Sequence, residues 1–384
     1  MTSPVQARVD LTAIRDNIAL LRERAGGAAV MAMVKAEAYG HGLVPAARAA
    51  LAGGATWLGV ARLSEGLILR RHGFTEPILL AVTAPGEEYA EGVTHGIDLT
   101  VGSLGLLAEV AAAARKTGRT ARVHLKADTG LSRGGAAEAD WPALVDAALA
   151  EEAVQIVGLY SHFACADLPG HPSVARQLTD FAEAVELAEK AGVRPEVRHL
   201  ANSAALLTLP EARYDLVRPG LAIYGLTPLP SLGGFGLRPA MTLAARTAMI
   251  KRVPAGSGVS YGHTYTTERE TTLALVPAGY GDGVPRHGSS TLEVQAAGRR
   301  YRVAGRVCMD QFVIDIGDDV LEAGDEVILF GPGDDGEPTA QEWAETIGTI
   351  SYEIVTRIGS RVPRTYGLSS EGLNPPGEPL GGLG

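Results

Sequence analysis

Cations and hydrogen-bonding groups recur where short apolar runs of this chain end. Lys35 closes the run AAVMAMVK, and Lys126, Asp128 and Arg133 close or follow a later one. Ser161 and His162, then Asn202 and Ser203, then Arg218 and Gly220 follow three more. Each has an ordinary reading by itself: a solvated loop cation, a structural histidine, a helix N-cap. On one shared rim they would make a cationic pocket. Lys35 then has chemistry of its own. Burial or neighbouring cations lower a lysine's pKa, and a neutral amine forms a Schiff base with an aldehyde. Asn202-Ser203 beside Gly220 is the kind of arrangement that binds phosphate after the last strands of a barrel.

Elements of two kinds must bring these groups together. Through roughly the first 230 residues, short apolar runs alternate with Ala/Leu-rich amphipathic stretches. The runs are 30–34, 57–60, 78–82, 97–101, 122–126, 155–160, 196–200 and 215–217, and the stretches include 44–52, 64–72, 104–117, 141–150 and 173–191. This alternation predicts parallel strands with crossover helices. Eight units in a span near the usual length of about 250 residues predict a (β/α)8 TIM-like barrel, whose chemistry sits at the C-terminal strand ends. Past Phe235 the helical stretches fade. Segments at 241–251, 272–276, 292–295, 303–307, 311–316 and 326–330 lie between Gly, Pro and Asp turns, with one late helix at 339–347 capped by Thr339. That texture predicts a mainly antiparallel β C-terminal domain. The expected division is a barrel over 1–234 and a β domain over 235–384, linked at 229–236, with the first few residues packing on the β domain.

Composition narrows the partners. Lys plus Arg number 34 and Asp plus Glu 44, a net charge of −10. Such a surface repels a phosphate backbone and an anionic bilayer, so neither nucleic acid nor membrane is an expected partner. The early apolar run 28–34 is too short to cross a bilayer, and Met1–Asp10 has no signal-peptide core. Two cysteines, Cys165 and Cys308, exclude a disulfide framework and a Cys-rich zinc site and fit a reducing cytoplasm. No P-loop, HExxH or paired-Cys spacing occurs, so no metal is expected. A barrel lysine opposite a phosphate site points instead to pyridoxal 5'-phosphate, held at both ends.

The segment VKAEAYGHG (34–42) resembles the cofactor-lysine signature of alanine racemases, pyridoxal-phosphate enzymes of the barrel type. Further segments resemble that family's blocks in order: KADTGLSRGG (126–135), SHFACAD (161–167), NSA (202–204), VRPGLAIYG (217–225), SYGHTY (260–265), PAGYGDGVPR (277–286), GRVCMDQ (305–311) and TISYEIVTRIGSRVPR (349–364). They cover nearly the whole chain. Glu37 stands where the family commonly has Asn or Asp, and Gly134 where many members have Leu.

The resemblance implies interconversion of L- and D-alanine, supplying D-alanine for peptidoglycan, by a two-base mechanism. Lys35 would hold the cofactor and act on the D-face of the substrate, and Tyr261 on the L-face. A free tyrosine titrates near 10, so His162 would support Tyr261, and Arg218 would touch both His162 and the pyridine nitrogen. An arginine there cannot act as an acid, which weakens the electron sink and favours quick reprotonation. Tyr39, Ser203, Gly220, Leu221 and Tyr352 would meet the phosphate, and Arg133 and Met309 the substrate carboxylate. Lys126 resembles a lysine that is carbamylated in many relatives. Asp167, Tyr280, Arg286, Arg306 and Ile350 would line the entrance. Tyr261 and Met309 lie past the linker, which implies a homodimer with shared active sites.

Other readings remain to be weighed. A broader racemase of small amino acids such as serine would use the same residues. GRVCMDQ superficially resembles the cysteine block of barrel-type decarboxylases, which place a carboxylate at the pyridine nitrogen. GVSYG (258–262) matches G-x-S-x-G literally, but a serine hydrolase through Ser260 needs a strand before it and a helix after it. A non-enzymatic cofactor-carrier barrel would lack the last 150 or so residues.

Overall fold

A computed structural model describes residues 3–367; the Gly/Pro-rich tail after Gly367 lies outside the described residues. The first strand, β1 (Val5–Asp10), stands outside the barrel. Barrel strands follow: β2 (Ala29–Met33), β3 (Trp57–Val60), β4 (Ile78–Leu80), β5 (Ile97–Val101), β6 (Ala121–Lys126), β7 (Val154–Tyr160), β8 (Val197–His199) and β9 (Leu216–Val217). Each falls on a run expected to be a strand. They pair in parallel with their neighbours in sequence, and β9 returns to β2. Only the β8–β9 seam lacks a ladder. It is bridged by Asp215 N–H to Arg198 O (3.1 Å) and Arg218 N–H to Ala201 O (2.9 Å). Helices cover the outside, so strands are buried on both faces, and β3, β4 and β5 are buried at every position.

Local chemistry sets the crossover helices. Helix Leu104–Thr117 starts at Ser103, whose hydroxyl accepts from the Leu106 N–H, and stops at Gly118 in a left-handed conformation. Among the described residues, no helix is long and apolar enough to cross a membrane.

The second region holds β10 (Met241–Arg246), β11 (Met249–Val253), β12 (Gly258–Val259), β13 (Tyr265–Thr266), β14 (Thr271–Val276), β15 (Glu293–Ala296), β16 (Arg299–Arg302), β17 (Phe312–Gly317), β18 (Glu326–Phe330) and β19 (Arg364–Gly367). One sheet runs β16-β15-β18-β10-β1-β19 and another β11-β14-β17. Pairing is antiparallel except for β1 with β19. The chain therefore starts in this region and enters the barrel through helix Leu11–Ala25.

Two sequence expectations need correction. The apolar segment 241–251 is two strands in separate sheets, parted at Thr247, whose hydroxyl donates to Glu322 O (2.6 Å). Residues 303–307 form only an isolated bridge, Val303 with Ile314; the strand is Arg299–Arg302, whose arginines hide its alternation. The late helix does form, over Ala340–Ile347, with Thr339 and Glu342 in a capping box.

Candidate active site

Lys35 follows β2 and opens a tight turn in which Ala36, Glu37, Ala38 and Tyr39 all have φ between 52° and 54°. Left-handed backbone costs a non-glycine residue roughly 1–2 kcal/mol, so the surroundings must hold it. They do so by hydrogen bonds. The Ala36 N–H donates to Glu65 Oε1 (2.6 Å), the Leu43 N–H to Glu37 Oε2 (3.3 Å), and His41 Nδ1 lies 3.0 Å from Tyr39 O. The departure at Glu37 thus supplies a loop contact. The turn aims Lys35 into a cavity of about 830 Å³ at the C-terminal ends of the barrel strands. Burial, then the charge of Arg133, lowers the Lys35 pKa against the opposing pull of Glu65.

Arg218, after β9, is buried against the opposite wall. Its Nη2 donates to Ser161 O (2.8 Å) and to His162 Nδ1 (3.1 Å), and its Nη1 lies 3.0 Å from His199 Nδ1. No carboxylate among the described residues pairs with it, and burial brings its pKa down to about 10. Burial and the surrounding cations, Arg218 first, hold His162 well below the ordinary histidine value. His162 is therefore neutral, and since Nδ1 accepts, its proton sits on Nε2. Tyr160, which sequence reasoning missed, lies beneath the cations. Its ring is 5.1 Å from Arg218 Cζ and 5.5 Å from Lys126 Nζ, and its hydroxyl is 2.7 Å from Thr100 Oγ1. Lys126 is pulled down to about 8 by burial and then by Arg218 and Arg133. Asp128 shapes the loop that carries Arg133 by accepting from the Gly130 and Ser132 N–H groups. A Cβ on Gly134 would meet only Lys126 Nζ, at 3.8 Å, so the missing leucine leaves open space there.

Hydroxyls and a close backbone approach make the other end. Asn202 caps helix Ser203–Thr208 by accepting from the Ala205 N–H. Ser203 Oγ accepts from the Gly220 N–H (2.8 Å) and the Ala222 N–H (3.3 Å), which leaves its proton to be donated. The Leu221 N–H carries no hydrogen bond among the described residues. A Cβ on Gly220 would lie 2.2 Å from the Tyr39 hydroxyl oxygen, so glycine is what admits that ring. Burial pushes the Tyr352 phenol up to about 12 and Tyr39 higher, so both stay protonated donors. A lysine whose pKa is lowered at one side and anion donors at the other suit pyridoxal phosphate.

One cavity thus gathers Lys35, Tyr39, Lys126, Arg133, His162, Ser203, Arg218, Gly220, Leu221 and Tyr352. Tyr261 and Met309 are not on its wall; they are 72% and 54% exposed on the β region. Tyr280 and Ile350 are exposed as well. Arg286 and Arg306 line a separate depression of about 600 Å³ with Thr264 and His287. Asp167 is close enough to Tyr352 to help raise its pKa. Tyr261 sits on a built turn: Ser260, Gly262 and His263 all have positive φ, and Ser260 Oγ donates to Arg306 O (2.7 Å). Two-residue β12 precedes Ser260 and no nucleophile-elbow helix follows it, so the hydrolase context is missing.

Comparison with known proteins agrees with this geometry. Residues 9–228 match the family model for the alanine racemase N-terminal domain, and residues 240–366 the model for its C-terminal domain. The chain is 61% identical to the alanine racemase of Frankia casuarinae over 366 residues, covering 94% of this chain and 95% of that one. It is 60% identical to that of Thermobifida fusca over 369 residues, covering 95% and 99%. The crystal structure of alanine racemase from D-cycloserine-producing Streptomyces lavendulae superposes with a TM-score of 0.94 at 54% identity, covering 100% of this chain and 98% of that one. The chain belongs to the alanine racemase family of pyridoxal-phosphate-dependent isomerases.

Proposed function

We propose that this enzyme racemises alanine in the cytoplasm with two acid–base groups on opposite faces of the substrate, and that each site is shared between two copies of the chain. The observation that carries this is the mismatch between a cavity around Lys35 that Tyr261 does not line and a Tyr261 exposed on a turn built to present it. Tyr261 and Met309 of one copy then complete the barrel mouth of the other. Asp167, Tyr280, Arg286, Arg306 and Ile350 line the approach. The division into a barrel (1–234) and a β domain (235–384) fits this arrangement, and β1 ties the chain's start to the β sheets.

Pyridoxal phosphate, when bound, draws electrons from the amino acid's α-carbon and makes its hydrogen acidic. Lys35, Tyr39, Ser203, Leu221 and Tyr352 hold it, and Gly220 leaves room. Arg218 Nε, which has no hydrogen-bond partner among the described residues, is a donor left for the pyridine nitrogen. A guanidinium donates that bond without giving up its proton as an acid would. Lys35 Nζ moves a proton at the α-carbon on the D-face, and the Tyr261 oxygen on the L-face. The His162 Nε2–H donates to the Tyr261 oxygen and stabilises its deprotonated form. Arg133 and the Met309 N–H orient the substrate carboxylate. Lys126, near half-neutral at slightly alkaline pH, is able to take up carbon dioxide, releasing a proton and leaving a carbamate beside Arg133.

D-alanine so formed supplies peptidoglycan. Space beside Gly134 favours testing serine as a second substrate. Purified enzyme with pyridoxal phosphate should convert pure L-alanine to an equal mixture by chiral chromatography, without carbon dioxide release. Decarboxylation, or no D-alanine, would refute the reading.

A further inference from the structure

Barrel interiors are filled mainly by apolar side chains, yet Asp98 on β5, His124 on β6 and His199 at the end of β8 are buried inside this one. They form one chain of hydrogen bonds that ends on Arg218. Arg218 Nη1 lies 3.0 Å from His199 Nδ1, His199 Nε2 lies 2.8 Å from His124 Nδ1, and His124 Nε2 lies 3.3 Å from Asp98 Oδ2. Chemistry fixes the direction of each bond. A guanidinium only donates, so His199 Nδ1 accepts and the His199 proton sits on Nε2. That proton goes to His124 Nδ1, which leaves the His124 proton on Nε2, donated to Asp98. Two further bonds reach Asp98 from Arg122, at 2.8 and 3.3 Å. Burial alone would raise the Asp98 carboxyl, but His124 and Arg122 outweigh it and hold it below the ordinary value. Burial, with Arg218 alongside, keeps His199 well below the usual histidine range and therefore neutral.

The fold makes room for this chain. A Cβ on Gly158 would lie 2.1 Å from His124 Nδ1, so a larger residue there would displace the ring. The β6–β7 register shifts between Val123 and His124, which pairs His124 with Gly158; such a bulge re-aims side chains. His199 stacks flat on Tyr160, with centroids 4.7 Å apart, and Trp57 meets His124 edge-on at 5.7 Å.

We propose that Asp98 and His124 are positioning residues for Arg218: they lock His199 in its Nε2–H tautomer, so that the guanidinium stays turned toward the cofactor's pyridine nitrogen. The proposal rests on the role of Arg218 given above. With the proton on Nδ1 instead, His199 would present an N–H to an N–H, and Arg218 would keep its Nη2 bonds to Ser161 O and His162 but lose the Nη1 contact that fixes its other end.

Ring 15N–1H spectra of histidine-labelled holoenzyme at neutral pH test this without using activity. Both His124 and His199 should carry a proton at Nε2 and accept at Nδ1. His124→Phe keeps a ring but accepts nothing; His199 should then populate the Nδ1–H form, the bound cofactor's visible band should shift, and kcat should fall about tenfold with KM within about twofold. Asp98→Asn keeps an acceptor and removes the charge, and should lower kcat in the same pattern by less. A wild-type His199 protonated at Nδ1 overturns the proposal. So does an unchanged kcat and His199 tautomer in a folded variant; if His124→Phe does not fold, Asp98→Asn and the wild-type spectra decide. Normal racemisation alongside the wrong tautomer would sink the relay and leave the two-base reading standing, whereas absent racemisation with the expected tautomers would do the reverse.

Discussion

The barrel mouth and the β-domain turn carry the two proposed acid–base groups in opposite ways. Around Lys35 the chain supplies the walls, cations and anion donors of a cavity. Around Tyr261 it supplies only a rigid support, and the ring is 72% exposed. Both groups stand on or beside left-handed backbone, at residues 36–39 and at Ser260 and His263. Strain of that kind persists only where surrounding contacts over-determine it. The comparison teaches that strain marks both groups, while burial marks only one. A turn held this firmly without a pocket of its own is fitted to serve a pocket on another copy.

Four experiments break or sharpen that contrast. Lys35→Ala should remove the bound cofactor's visible absorbance and all measurable racemisation together; turnover without Lys35 would contradict its role. Tyr261→Phe should keep the absorbance, because the pocket does not need that residue. It should slow α-hydrogen exchange from L-alanine in deuterated water about a hundredfold or more, within the usual range for acid–base groups, and much less from D-alanine. Equal losses would end the two-face assignment. Gly220→Ala puts a Cβ 2.2 Å from the Tyr39 hydroxyl and should weaken cofactor binding about tenfold, the scale of a lost hydrogen bond with its neighbours disturbed; equilibrium dialysis would show whether affinity is instead unchanged.

The smallest effect is one of stability. His41 is fully buried behind the Lys35 turn, and burial lowers its pKa to about 4. Below its ordinary value near 6.5 the unfolded chain binds a proton that the folded barrel refuses until about 4. Stability should therefore fall by about 3 kcal/mol from this group as pH drops from 6.5 to 4. Urea unfolding of His41→Asn should show a flatter pH dependence over that window, whereas Tyr261→Phe should leave the wild-type slope. The same slope in His41→Asn would show that other groups cause it.

The sequence made some of this legible and hid the rest for physical reasons. The barrel strands are short apolar runs between helices, so periodicity exposes all of them, and the strand-end cations follow. The first residues were expected on the β domain, but β1 was not read as a strand because its partners, β10 and β19, lie more than 200 residues away along the chain. Asp98, His124 and His199 were missed because parallel strands buried on both faces read as continuous runs, in which inward and outward positions look alike. The left-handed turn at Ala36–Tyr39 contradicts the propensities of its own residues and depends on Glu65, nearly thirty positions later. Tyr261 was found through family blocks alone; only its exposure on a braced turn gives a physical reason for it.

Mixing the Lys35→Ala and Tyr261→Phe proteins tests the shared site most directly. In a mixed dimer, one mouth would carry an intact Lys35 facing an intact Tyr261 from the other copy. After verified subunit exchange, activity should rise from near zero toward about a quarter of wild type, since about half the dimers mix and each regains one of two sites. No rise after exchange would mean that each chain must complete its own mouth, and Tyr261 would lose its place in the mechanism.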